Sequence, residues 1–245
     1  MLLQEAADQG VDAIVVPGTS PDSWALQEAL PTSAPAIYLC RGLHPWWVDG
    51  ASTPALERGL VALADTLCAS ALPVVGVGEI GLDHQRARDA FGRARQLRAF
   101  RTQLDIARRG GLPVVIHCVD AWGALLGALE GDGPPEAGGV LHGFSGSWEV
   151  ARRLLALGLH LSLGPGLTRV GHKRMKHAAI AAPLERLLVE SDAPDQAIGG
   201  RVGQGRPADV RAVAAALGKA RGVRAEDVAR VTGANTSRLF GLSLD

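Results

Sequence analysis

Five β-like runs in this sequence stop at, or run on to, residues that can do chemistry. Val74–Val77 leads into Gly78-Glu79-Ile80-Gly81-Leu82-Asp83, Val114–Ile116 into His117, and Val140–Leu141 into His142. Leu187–Val189 leads into Glu190-Ser191-Asp192-Ala193-Pro194, and Ala36–Leu39 runs on to Gly42-Leu43-His44-Pro45. One histidine closing a strand is ordinarily a hydrogen-bonded core or rim residue, and one carboxylate there ordinarily caps a helix or anchors a loop. Many such groups around one mouth are costly to bury unless something pairs them. A divalent cation does so, because neutral imidazoles donate nitrogen and carboxylates supply charge; two histidines and one glutamate form an established catalytic zinc set.

Other chemistries lack their residues. Gly143-Phe144-Ser145-Gly146-Ser147 places a serine where the second glycine of a nucleophile elbow belongs. Cys118 directly follows His117, so strand alternation turns it to the opposite face and makes it a small buried residue rather than a partner for the imidazole. Gly76-Val77-Gly78 has no third glycine, and there is no phosphate-binding P-loop.

The elements that must position these residues alternate regularly. β-like runs at Ala13–Val16, Ala36–Leu39, Val74–Val77, Val114–His117, Val140–His142, His160–Leu163 and Leu187–Glu190 are separated by helix-like stretches. Arg93–Arg109 is one of these, with Leu97, Phe100, Leu104 and Ala107 at helical spacing. Such alternation predicts an α/β fold with a parallel sheet, open or closed. The opening Leu2–Gln9 reads as a helix feeding the strand at Ala13–Val16, the second half of a strand–helix–strand unit without its first strand. Seven strands against the eight of a closed barrel predict a TIM (β/α)8-type barrel lacking its first strand at the N-terminus. Its active site would lie at the C-terminal strand ends; the competing architecture is an open, doubly wound sheet.

The 245 residues, 47% apolar with 31 glycines, fit one domain over 1–245, and no charged linker or low-complexity segment divides them. Zero formal charge removes any bulk attraction to nucleic acid or membrane, so such binding must be local. Three scattered cysteines, Cys40, Cys68 and Cys118, suit a reducing cytoplasm. Neither a signal peptide nor an apolar run of spanning length is evident, so a cytoplasmic protein with no membrane partner is expected.

At these motifs the chain resembles the TatD-like metal-dependent hydrolases, a TIM-barrel family within the amidohydrolase superfamily. The likeness rests on Gly42–Pro45, Val77–Asp83, Leu112–His117, Leu141–Gly146, Glu190–Pro194 and Asn235–Phe240, and it covers essentially the whole chain. It implies that Glu79 bridges two metal ions, that His117 and His142 complete the second ion's ligands, and that Asp192 binds the first ion and orients or deprotonates the attacking water. Glu79 and Asp192 would thus be the catalytic carboxylates, and His44 would lie near the substrate phosphate. Members are implied to hydrolyse phosphodiester bonds, often as deoxyribonucleases with exonuclease character, using Mg2+, Mn2+ or Zn2+. The family's first strand ends in a His-x-His pair that binds the first ion, whereas this sequence has no His-x-His and its first histidine is His44. The expectation is therefore one ion rather than two, weakened or absent activity, and truncation or an upstream start codon, with natural loss of the His pair as the alternative. An open barrel edge would also invite a homodimer.

DNA is the expected substrate. Thr168–His177 is a basic cluster near the presumed mouth, in which Arg169 and Lys173 could contact phosphates without reading sequence. The arginines at 86, 88, 93, 95, 98 and 101 read as a solvated face. Trp46 and Trp47 could stack on bases or pack a loop, and Arg201–Pro207 reads as a flexible loop. Two alternatives stand beside the nuclease: a metal hydrolase of small amides or esters, and a non-catalytic binder of phosphate or nucleic acid.

Overall fold

A computed structural model of the chain describes residues 1–31, 34–67, 70–200 and 202–243; Cys68 and Arg201 lie outside the described residues. These residues gather into two compact units, Val15–Val140 and Met1–Ile14 with Leu141–Asp245. In chain order the strands are β1 (Ala13–Pro17), β2 (Ala36–Arg41), β3 (Val74–Asp83), β4 (Val114–Val119), β5 (Gly139–Leu141), β6 (His160–Leu163) and β7 (Leu187–Val189). The helices are α1 (Leu2–Asp8), α2 (Pro21–Gln27), α3 (Pro45–Gly50), α4 (Thr53–Thr66), α5 (Ala90–Gly110), α6 (Trp122–Asp132), α7 (Trp148–Ala156), α8 (Lys173–Ala181), α9 (Val210–Arg221) and α10 (Ala225–Phe240). Each of the seven expected strands is present, with ends shifted by a few residues. The largest shift is in β3, which continues through Glu79 to Asp83, so both carboxylates sit on the strand itself.

In the Val15–Val140 unit, β2 pairs β3 and β3 pairs β4, all parallel. Leu39, Ile80, Leu82, Phe100, Leu104, Ile116 and Leu125 form its fully buried interior. The glycines of the β3 motif follow from close packing of backbones. A Cβ at Gly78 would lie 2.5 Å from Val115 Cβ, and one at Gly81 would lie 2.0 Å from the His117 carbonyl oxygen at a φ of +144°. Only glycine fits such an approach. Asp89 caps α5 by accepting the Gly92 N–H at 2.7 Å, and left-handed Gly111 ends it.

Two glutamines one heptad apart on α5, Gln96 and Gln103, are each 1% exposed and grip the backbone beside the strand ends. Gln103 accepts the Leu43 N–H at 2.7 Å and donates to the Leu43 carbonyl at 3.1 Å. Gln96 does the same for Asp83, at 2.8 and 3.2 Å. Each amide therefore pairs with both the N–H and the carbonyl of one buried residue, Leu43 before α3 and Asp83 at the end of β3.

In the Leu141–Asp245 unit, β6 pairs β7 in parallel, and Leu154, Leu163, Leu187, Val213, Leu217 and Val228 are fully buried. Asn235 of α10, 2% exposed, donates to the carbonyls of Leu184 at 2.9 Å and Leu187 at 2.8 Å, tying the helix to the start of β7. Arg206 and Arg211 hold α1 to this unit, through Glu5 at 3.0 Å and through the Gln9 carbonyl. Among the described residues no helix is long and apolar enough to cross a membrane.

Candidate metal centre

In Val15–Val140 the register places His117 of β4 opposite Gly81 of β3, with Glu79 and Asp83 two positions to either side. Alternation puts those two carboxylates on the same side of the strand, and each faces one ring nitrogen of His117. Nδ1 lies 2.9 Å from Glu79 Oε1 and Nε2 lies 3.5 Å from Asp83 Oδ2. Nδ1 and Glu79 share a hydrogen bond whose donor is set by the ring's tautomer, and the pair places an imidazole nitrogen beside a carboxylate oxygen, the donor types a divalent cation takes.

His44 completes the group. Its ligand atom, with those of Glu79 and His117, lies within 4.8 Å of the others. His44 is 7% exposed and precedes α3, whose first turn it caps: Nδ1 accepts the Trp46 N–H at 3.2 Å. In the neutral ring that bond leaves the proton on Nε2, which stands 3.3 Å from Glu79 Oε1. His44 is thus a donor toward Glu79, while Glu79 and His117 bring one carboxylate oxygen and one imidazole nitrogen to the group. The donor chemistry of one carboxylate and one imidazole fits a divalent cation of the Mg2+, Mn2+ or Zn2+ kind.

Asp83 is the buried anchor beneath this group, 3% exposed. Burial raises its pKa, but hydrogen bonds with the His117 ring, the Trp46 indole N–H and the Arg86 N–H outweigh that and hold the carboxyl well below the usual range. Cys118 turns away from His117 as strand alternation requires; burial pushes its thiol up to about 12, as it also raises that of Cys40.

In Leu141–Asp245 a second cluster forms on loops. His142 follows β5, with Nδ1 3.2 Å from Glu190 Oε1 and Nε2 3.9 Å from Asp192 Oδ1. Glu190 also accepts the Gly143 N–H at 2.6 Å, and a Cβ at Gly164 would come within 3.1 Å of its Oε1. Burial opposes the Glu190 charge, yet the charge and hydrogen bond of His142, together with Ser162 and the Gly143 N–H, keep its pKa below the ordinary value. Its place against Nδ1 turns the other nitrogen of His142 toward Asp192. Asp192 adopts a φ of +49°, and Gln196 Nε2 holds its Oδ2 at 2.5 Å, so Oδ1 is the oxygen on the His142 side.

The predicted residues therefore meet in two sets: Glu79 with His117 and His44, and His142 with Asp192. Arg169 follows the 3-10 turn Pro165–Thr168 and is half-buried, with its Nε buried and unpartnered among the described residues; Lys173 begins α8 and is exposed. Sequence reasoning assigned no role to Asp83, Glu190, Gln96 or Gln103. The four-residue spacing from Glu79 to Asp83 along a strand is the signal that could have found Asp83. Glu190 offered none beyond its place two residues before Asp192.

The model of the family described as TatD related DNase matches residues 1–241. The metal-dependent hydrolase YjjV of Escherichia coli K12 is 35% identical over 241 residues, covering 98% of this chain and 90% of that protein. The crystal structure of this E. coli TatD homologue matches with a TM-score of 0.86 at 33% identity, over 99% of this chain and 91% of its own. A protein of Erwinia billingiae named 3'-5' ssDNA/RNA exonuclease TatD is 29% identical over 198 residues, covering 79% of this chain and 72% of the relative. With its β/α units and seven described strands, the fold is of the TIM (β/α)-barrel class. On the strength of a match along nearly its full length, the chain belongs to the TatD-related DNase family and is a TatD-type metal-dependent hydrolase.

Proposed function

We propose that this chain hydrolyses phosphodiester bonds in DNA, with Glu79, His117, His142 and Asp192 as the metal-binding residues. The observation that carries the reading is the convergence of His44, Glu79 and His117, whose ligand atoms lie within 4.8 Å of one another, with Glu79 and His117 2.9 Å apart. The nuclease reading is also supported by the relative named as a 3'-5' ssDNA/RNA exonuclease. A divalent cation, when bound, supplies an acidified water and neutralises charge on the phosphoryl oxygens.

The chain's own residues have distinct tasks. Asp192 orients the attacking water and takes its proton at Oδ1, since Gln196 occupies Oδ2. The Nε2–H of His44 donates to a non-bridging phosphate oxygen, while its Nδ1 remains committed to the Trp46 N–H. Arg169, with its unpartnered Nε, and Lys173 contact neighbouring phosphates.

The test is cleavage of an end-labelled single-stranded DNA with Mg2+ or Mn2+, with and without chelator. Cleavage is expected with metal and lost in Glu79→Ala and Asp192→Asn. Turnover of small esters without any DNA cleavage would replace the reading by an amide or ester hydrolase. DNA binding that survives chelation and Asp192→Asn, with no cleavage, would replace it by a non-catalytic binder.

A further inference from the structure

Two adjacent tryptophans on α3 have opposite surroundings. Trp47 packs inward: a Cβ at Gly59 of α4 would lie 2.8 Å from its Cη2. Trp46 remains 49% exposed, a large apolar surface left in water. Its ring is nonetheless fixed. The indole Nε1–H donates to Asp83 Oδ2 at 2.5 Å, the His44 ring meets it edge-on with centroids 5.2 Å apart, and the Arg86 guanidinium carbon stands 4.5 Å from its centroid.

One buried carboxylate builds this arrangement. Asp83 Oδ1 accepts the N–H groups of Gln85 at 2.9 Å and Arg86 at 3.1 Å, shaping the turn that carries Arg86, while Oδ2 holds the indole. The same Oδ2 lies 3.5 Å from His117. An exposed aromatic ring, fixed in orientation and with a guanidinium over one face, is therefore locked to the residue that also lies against a proposed metal ligand. A ring held this way loses little freedom when a flat partner stacks on the face opposite Arg86, and the guanidinium suits the phosphate attached to that partner.

We infer that Trp46 and Arg86 form a stacking subsite for the nucleobase next to the scissile phosphodiester, with Arg86 meeting that nucleotide's phosphate. The inference rests on the phosphodiesterase reading and specifies its substrate as a strand carrying bases rather than a bare phosphodiester. Stacking uses the π-face common to all four bases, so the subsite selects a base over no base and does not read sequence.

The test uses the full chain with Mn2+ and two hydrolysis-resistant phosphorothioate pentamers, one of thymidines and one abasic at its terminal residues, with affinity read by fluorescence anisotropy. Wild type should bind the thymidine strand about 10-fold or more tighter than the abasic one. Trp46→Ala should erase that preference by weakening the thymidine strand alone, and Trp46→Phe should retain part of it. Arg86→Ala, on an exposed turn, should weaken both strands and serves if Trp46→Ala fails to fold. A preference unchanged in Trp46→Ala, or no preference in wild type, overturns the subsite even if DNA is cleaved. A Trp46-dependent preference without cleavage of natural DNA supports the subsite and leaves the hydrolytic reading to fall alone.

Discussion

The two clusters place the same residue types by different means. In Val15–Val140, Glu79, Asp83 and His117 are strand residues, and their spacing is set by the β3–β4 register and by glycines that let the backbones approach. In Leu141–Asp245, His142, Glu190 and Asp192 stand just past strand ends, held by hydrogen bonds that include Gly143 N–H to Glu190, Gln196 to Asp192, and Glu190 N–H to the Leu163 carbonyl at 3.0 Å. Where the sheet itself places the side chains, altering the scaffold costs stability. Where loops place them, altering a supporting residue costs geometry and leaves the fold standing.

The largest expected effect is at the first cluster's centre. Glu79→Ala should cut DNA hydrolysis by more than the roughly 10- to 100-fold that loss of an outer hydrogen-bond partner costs, with an unchanged melting profile. A variant that keeps wild-type kcat/KM would remove Glu79 from the chemistry. Next comes the backbone contrast. Gly81→Ala forces a Cβ into the His117 carbonyl and should cost about 3 kcal/mol or more in denaturant melts. Gly143→Ala has only Glu190 Oε1, at 3.8 Å, near its Cβ; its φ of +55° should cost about 1–2 kcal/mol. Equal losses at the two glycines would break the distinction between register and loop.

Glu190→Gln sharpens the comparison from the other side. Gln can still accept the Gly143 N–H but loses the charge facing His142, so metal affinity should drop about 10- to 100-fold with little loss of stability. Metal affinity unchanged in this variant would show that His142 needs no such partner. The smallest effect is the reactivity of Cys118. With its thiol at about 12, it is about one part in 10⁴ thiolate at pH 8, so alkylation should proceed only as fast as the chain opens. Because burial raises this pKa, reactivity in the native state should appear only as pH climbs toward that value. Rapid native-state labelling at pH 8 would mean that β4 is not the rigid support described.

The order of elements was readable from the alternation of apolar runs and amphipathic stretches, and so were the residues at most strand ends. α5 shows why reading stopped there: Leu97, Phe100, Leu104 and Ala107 gave the helix, but Gln96 and Gln103 look like solvent-facing residues until the peptides they satisfy are known. The two tryptophans were indistinguishable as neighbours in sequence, because a tertiary contact with Gly59 separates them. β3 was expected to end at Val77, since Gly-Glu-Ile-Gly breaks the apolar pattern. The glycines that break it are the ones that let β3 pass β4 closely enough to bring Glu79 against His117.

The central claim is that the carboxylate–imidazole pair of Glu79 and His117 holds a divalent cation. Calorimetric titration of chelator-treated protein with Mn2+ tests it most directly. One ion should bind per wild-type chain, and binding should be lost in Glu79→Ala and His117→Ala. Stoichiometric binding of the same strength in both variants would contradict it.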